Sequence, residues 1–304
     1  MCSIQLNNSS TSVKVLIIGS TGLAGQAFHR FCVSSSIEVF CLSRTGAEIT
    51  YDCLDNKLSL LPIVNSIRPD IIVNCIALVS LQQCESNPDL AFKLNAYLLD
   101  ELVDAASSVN ARLLHISTDH YYLGGTNVLH AEDDPIEIVN VYAASKRLGE
   151  LKALSYSKSL VVRTNITGWR NRGAPTFIEW LFDALMDKKK LTLFDDFFTS
   201  TIDVDTFVKL TMQVALSDYH GLINIACDQS LSKAKFIEGL ASELSVELES
   251  VSYSSVSSLL PKRANSLGLD CSKVKSLFSL ELPQANTVFK NLVSQYNKMY
   301  NKKY

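Results

Sequence analysis

From residue 13 onward the chain alternates apolar runs of strand length with longer stretches of helical spacing. The runs fall at 13–18, 37–42, 70–75, 111–116 and 160–164, each rich in β-branched residues or leucine. That at 70–75 is apolar on both faces, as a buried parallel strand is. A helical pattern follows the first run through Phe31. Others lie at about 56–67 and 88–109, where Leu90, Leu94, Tyr97, Leu98, Leu102 and Ala105 recur near helical spacing. Four rounds of strand and helix predict a doubly wound parallel sheet with short loops and right-handed crossovers. Residues 119–139 have little periodicity and read as a loop covering a site. The Ala, Leu, Lys, Arg and Glu content of 140–156 then favours a helix. Past Asn165 the pattern loosens into a loop at 168–173, helices near 176–186 and 204–216, short strands near 191–194 and 222–226, and an amphipathic helix at 286–300.

This pattern predicts an α/β protein: a Rossmann-type doubly wound sheet with a smaller α/β substrate-binding lobe built from C-terminal insertions. Residues 1–12 form a mobile tail, 13–165 mainly the dinucleotide-binding domain and 166–304 mainly the second lobe, with about 203–228 returning to the sheet. A chain of 304 residues sits where one domain starts to divide into two. With 47% hydrophobic residues, 19% charged and a net charge of -3, there is no basic surplus for nucleic acid. The first twelve residues lack a basic n-region and an apolar h-region, and no apolar run is long enough to span a bilayer, so no membrane partner is expected. Eight cysteines are scattered without a Cys-x-x-Cys or a metal-like pairing with histidine, which suits a reducing cytoplasm and predicts no metal site.

Chemistry enters where the first strand meets Gly19-Ser20-Thr21-Gly22-Leu23-Ala24-Gly25. Strand, glycine turn and helix is the entry of a dinucleotide-binding unit, whose helix N-terminus holds a pyrophosphate; the alternative is a plain strand-to-helix turn. The second strand ends in Ser43-Arg44, with an arginine and no acid at its tip, which favours NADP(H) over NAD(H), against the alternative of a solvated Arg44. Ligands of such sheets sit beyond the carboxyl ends of the strands, where Gly19, Arg44, Ala77 and Thr118 all fall. Tyr142 and Lys146, four apart on a helix, project from one face. A lysine beside a phenol makes the phenolate easier to form; the alternative is an ordinary amphipathic helix with one buried aromatic and one solvated lysine.

Gly19-x-x-Gly22-x-x-Gly25, Ser117-Thr118-Asp119, Tyr142-x-x-x-Lys146 and Arg163-Thr164, in this order and context, resemble the extended short-chain dehydrogenase/reductases. Arg68-Pro-Asp-Ile-Ile-Val-Asn74, Cys84-Glu-Ser-Asn-Pro-Asp-Leu-Ala91, Leu94-Asn-Ala96, Phe194-Asp-Asp196, Ser200 and Arg263 through Asp270 look most like the dTDP-4-dehydrorhamnose reductase branch, whose substrate-binding domain is RmlD-like. The resemblance covers nearly everything from residue 13. It implies hydride delivery from the nicotinamide to the ketone of a nucleotide-linked 4-keto-6-deoxy sugar, in polysaccharide precursor synthesis. Tyr142 would be the general acid, Thr118 would hydrogen-bond the reacting oxygen, and Lys146 would bind the nicotinamide ribose and bias the Tyr142 proton. Gly19 to Gly25 would hold the pyrophosphate, Ser43 and Arg44 the adenosine phosphate, Asp52 and Cys53 the adenine, and Ala77 would line the cofactor. His120, Asn165 and Arg263 are the implied substrate contacts, and homodimerisation is implied without a legible interface.

The chain also departs from this branch. His120 stands where the reductases have tyrosine, Ile166 replaces the aromatic expected after Arg163-Thr164, and Ser200-Thr201-Ile202-Asp203 replaces Ser-Pro-Thr-Tyr. Two other readings follow: a cofactor-binding regulatory subunit similar to the methionine adenosyltransferase β subunit, or a sugar-nucleotide epimerase or dehydratase. Dehydratases place an acidic pair after the threonine, and His120 after Asp119 argues against that chemistry.

Overall fold

Seven parallel strands form one sheet, in the spatial order Gly221–Asn224, Ser159–Arg163, Arg112–Ile116, Ile71–Asn74, Lys14–Ile18, Glu38–Ser43 and Ile49–Thr50. The computed structural model describes residues 12–55, 58–124, 126–170 and 172–300. Most of the expected tail, Cys2, the start of the 56–67 helix, Gly125 and Asn171 lie outside them.

The continuous apolar runs have a direct cause: both faces of the sheet are covered. Val15 and Ile17 pack with Phe28, Val73, Leu114 and Phe207 on one side. Their neighbours Leu16 and Ile18 pack with Leu42, Ile72, Leu99 and Leu113 on the other. Period-two alternation therefore separates two cores rather than a core from solvent. From Lys14–Ile18 the chain moves first to Glu38–Ser43 on one flank, then crosses to Ile71–Asn74 on the other. The switch point lies between those strands, where open sheets bind their ligands.

Around this sheet the 88–109 pattern is not one regular helix. Pro88–Phe92 and Leu98–Ser108 are α-helical, and Lys93–Tyr97 between them is π-helical. The wider turn carries Asn95 inward, where its Oδ1 accepts from Leu78 N (2.7 Å) and its Nδ2 donates to Leu78 O (3.0 Å) and Ser145 Oγ (2.9 Å). The six apolar positions of that periodic run carry no trace of such a bond set.

Elements without a sequence forecast include helices Leu81–Ser86, Lys233–Glu243 and Ser272–Phe278 and the strand Ile49–Thr50. A four-stranded sheet, in the order Leu231–Ser232, Phe198–Thr199, Ser266–Leu269, Leu129–His130, is also new. Most of these strands are two residues long, too short for alternation to register. Helices Phe177–Met186, Lys233–Glu243 and Ala285–Tyr300 pack around Trp169, Phe182, Phe236, Leu240 and Phe289 as a second core. Leu129–His130 pairs with Ser266–Leu269 and so draws the 119–139 segment onto this smaller lobe.

Candidate active site

The turn after Lys14–Ile18 is fixed by Gly19 N and Ser20 N, which donate to Leu42 O at 2.8 and 3.1 Å. Gly19 has φ +84°, and a Cβ there would lie 3.0 Å from Ile76 Cγ1 and 3.1 Å from the Cys75 carbonyl carbon. At Gly25 a Cβ would run into the Gly19 carbonyl oxygen and lie 2.6 Å from Ser20 Cα. The glycines thus let turn, helix Leu23–Ser34 and the end of Ile71–Asn74 close onto one another at the switch point. That helix begins at Gly22 with no side-chain cap and no acidic residue in its own first turn, which leaves its positive end uncompensated from within the helix. Such a cradle fits a dinucleotide pyrophosphate. Thr21, Gly22 and Leu23 are half-buried along it, and Ser20 Oγ donates to Leu42 O at 3.2 Å.

Ser43 is buried and its Oγ donates to Thr45 O (2.8 Å), while Arg44 is exposed at the tip of Glu38–Ser43. A residue without a sequence signal joins it: a Cβ on Gly46 would lie 2.7 Å from Arg172 Nη1, so the Arg172 guanidinium rests against the turn that follows Arg44. Asp52 Oδ1 accepts from Leu54 N at 3.0 Å, closing an Asx turn that presents Asp52 and Cys53 half-buried beside Tyr51. Ala77 follows Ile71–Asn74, half-buried on the other side of the glycine turn.

Tyr142 and Lys146 lie on helix Val141–Leu154, opened by Asn140, whose Oδ1 accepts from Ala143 N (2.8 Å). A solvated lysine is excluded: Lys146 is 2% exposed and Tyr142 8%. Burial pushes the Tyr142 phenol up, and a hydrogen bond with Thr118 pulls the other way. Lys146 Nζ is not turned to the phenol; it donates to Ile116 O at 2.7 Å. Behind it, Asn74 Oδ1 accepts from Ile76 N, so Asn74 Nδ2 is left facing His115 Nδ1 at 3.1 Å. His115 Nε2 lies 3.5 Å from Lys146 Nζ. Burial, against the opposing charge of Glu150, lowers Lys146 to about 8. One ammonium proton of Lys146 is thus held by a backbone carbonyl, which fixes where its charge sits.

Beyond Thr118 lies a chain of polar side chains. Thr118 Oγ1 donates to Asp119 Oδ1 (3.4 Å), Asn165 Nδ2 to Asp119 Oδ2 (2.7 Å), and Thr201 Oγ1 to Asn165 Oδ1 (2.9 Å). Burial pushes the Asp119 carboxyl up. His120 packs edge-on against Tyr142, ring centroids 5.5 Å apart, and burial lowers it to about 4, with Arg263 and Lys233 adding to the shift. Arg263, half-buried, is near enough to act on the His120 charge, and Asn165 reaches the same place through Asp119. Lys233 and Glu150 were not forecast. Glu150 could have been read from its place one turn past Lys146 and two past Tyr142; Lys233 carries no local signal.

Residues 13–298 match the RmlD substrate binding domain family. The chain belongs to that family. It is 30% identical over 185 residues to the spore coat polysaccharide biosynthesis protein SpsK of Bacillus subtilis (strain 168), an alignment covering 60% of this chain and 62% of that protein. To the dTDP-4-dehydrorhamnose reductase of Escherichia coli (strain K12) it is 28% identical over 228 residues, 70% of this chain and 72% of the relative. The fold matches a crystal structure of dTDP-4-dehydrorhamnose reductase from Bacillus anthracis str. Ames in complex with NADP, with a TM-score of 0.83 at 20% identity over 94% of this chain and 100% of that one. Among the described residues of this RmlD-family chain, no helix is long and apolar enough to cross a membrane and no cluster of three or more His, Cys, Asp or Glu could hold a metal ion.

Proposed function

We propose that the chain is an NADPH-dependent reductase of a nucleotide-linked 4-keto-6-deoxy sugar, acting in the synthesis of a surface polysaccharide precursor. The observation that carries this is the placement of Tyr142 and Thr118, both buried, with Thr118 just past the carboxyl end of Arg112–Ile116 and a glycine turn shaped for a pyrophosphate on the same edge of the sheet. The names of the relatives, reductases of a dTDP-linked keto sugar and a spore-coat polysaccharide protein, support the same reading.

A reduced nicotinamide supplies hydride to the ketone carbon when bound. The chain supplies the rest. The glycine turn and the first turn of Leu23–Ser34 would hold the pyrophosphate, Ser43, Arg44 and Arg172 the adenosine phosphate, Asp52 and Cys53 the adenine, and Ala77 would line the cofactor. Thr118 would orient the ketone oxygen, and Tyr142 would give it a proton. With its own pKa pushed up by burial, the phenol stays protonated at neutral pH, the form a general acid requires. Lys146 would meet the nicotinamide ribose, and its charge would offset the phenolate left after transfer. His120 takes the place of an acidic residue beside Asp119, which favours reduction over dehydration. The division into a nucleotide-binding domain at about 13–165 and a substrate lobe at about 166–304, a homodimer and a cytoplasmic setting belong to the same proposal.

The test is to mix the protein with NADPH and a panel of nucleotide-linked 4-keto sugars and follow nicotinamide absorbance. Oxidation with one or more supports the reductase. Tight NADPH binding with no oxidation by any member would favour the regulatory-subunit reading.

A further inference from the structure

The groups around Asp119 and His120 carry more positive charge than they balance. Lys233 opens helix Lys233–Glu243 and reaches back between three aromatic rings. Its Nζ lies 5.2 Å from the centroid of Phe177, 5.8 Å from Phe197 and 5.6 Å from Phe236. Its hydrogen-bond partner among the described residues is Thr201 Oγ1, at 3.4 Å. Arg263 Nε and His120 Nδ1 are buried with no hydrogen-bond partner among the described residues. Neither Lys233 nor Arg263 makes an ion pair among the described residues.

Asp119 is the acid that faces this group, and its two oxygens already accept from Asn165 and Thr118. One carboxylate against an ammonium and a guanidinium leaves an excess cation. Removing cations from water without an anion is costly, and charge-assisted bonds to a ligand oxyanion would offset the cost. Aromatic faces make up part of the lost hydration of Lys233 and fix its position, but they supply no acceptor for its remaining protons. Arg263 offers a planar fork suited to two oxygens of one group.

We propose that Lys233, acting with Arg263 and His120, forms an oxyanion subsite in the substrate cleft that takes a phosphate or carboxylate group of the bound sugar nucleotide. This rests on the sugar-nucleotide reading above and adds to it a residue and a ligand chemistry. A phosphate would be that of the nucleotide diphosphate. A carboxylate would belong to the sugar, making the substrate a uronic-type sugar instead of a 6-deoxy one.

Calorimetric titration of UDP, dTDP, UDP-glucose, UDP-glucuronate and inorganic pyrophosphate into the wild type, Lys233→Met and Lys233→Arg, with and without NADPH, tests it. Lys233→Met is expected to weaken one or more of these probes by about tenfold or more. Lys233→Arg should restore most of the loss, and NADPH affinity should be the same in all three proteins, which also verifies their folding. Equal losses for UDP, UDP-glucose and UDP-glucuronate assign the subsite to phosphate; a loss concentrated in UDP-glucuronate assigns it to the sugar carboxylate. Binding of every probe by Lys233→Met as by the wild type, or of none by the wild type, overturns the subsite. A loss of probe affinity in Lys233→Met together with no NADPH oxidation by any 4-keto sugar would keep the subsite and remove the reductase.

Discussion

Arg163 grips Glu150 through two bonds, Nε to Oε1 at 2.9 Å and Nη2 to Oε2 at 3.0 Å, with neither side chain more than 1% exposed. Burial pushes the Glu150 carboxyl up, yet the Arg163 bonds outweigh it and hold the group below the usual carboxylate range. Ser117 Oγ and Arg147 Nη1 donate to the same carboxylate at 2.7 and 2.8 Å. Ser117 precedes Thr118, and Glu150 shares a helix with Tyr142 and Lys146, so this node ties the proton donor to strands Arg112–Ile116 and Ser159–Arg163. Glu150→Ala strands a buried guanidinium and is expected to cost about 3–5 kcal/mol. The readout is the urea midpoint, and Glu150→Gln should lie between it and the wild type. An unchanged midpoint in Glu150→Ala would show that the node does not hold the fold together.

Tyr142→Phe removes the proton while keeping the ring that packs edge-on against His120. Turnover with an accepted keto sugar should fall by about 10²–10⁴-fold. NADPH affinity, read by fluorescence titration, should stay nearly unchanged, because the pyrophosphate cradle lies on another element. Retained turnover would remove Tyr142 from its proposed role.

Arg44→Ala tests cofactor choice. Arg44 is exposed, and Arg172 rests against the adjacent Gly46 turn, so two guanidinium groups border the place where an adenosine phosphate would lie. The NADPH dissociation constant should rise by about tenfold in Arg44→Ala and further in Arg44→Ala/Arg172→Ala, while that for NADH moves little. An unaltered NADPH/NADH preference in both proteins would sink the NADP assignment.

How much of this was legible in the chain depends on where each contact is written. The five long strands and the glycine turn are local: each is a run of adjacent residues whose pattern reports burial on both faces. Tyr142 and Lys146 are local too, but their surroundings are not. The carbonyl that holds Lys146 is that of Ile116, 30 residues away, and the Asn95 bonds that accompany the π-helical turn reach Leu78 and Ser145. Lys233 is the extreme case. Its three rings come from 177, 197 and 236, and its hydroxyl partner from 201. Only the folded second lobe brings them together, through strands too short to be read as strands.

His120 sets a response of the fold to acid. Burial lowers its pKa to about 4, with Arg263 and Lys233 adding to the shift, from an ordinary value of 6.5. Between those values the unfolded chain binds a proton that the folded protein refuses. His120 therefore contributes stability that is fully present above about pH 6.5 and lost as pH falls through about 4, up to an upper bound of about 3 kcal/mol. His120→Gln cannot take up that proton. Urea midpoints of the two proteins should differ by a constant above pH 6.5 and diverge below it, the wild type losing more. Nearby Asp119 is present in both, so the difference isolates the imidazole. Because neutral His120 does not titrate between pH 5 and 8 in the folded state, replacing it should add or remove no limb of the rate profile in that range. A constant offset down to pH 4, or a limb near 6.5 that vanishes in His120→Gln, would place the imidazole in water instead of against Tyr142.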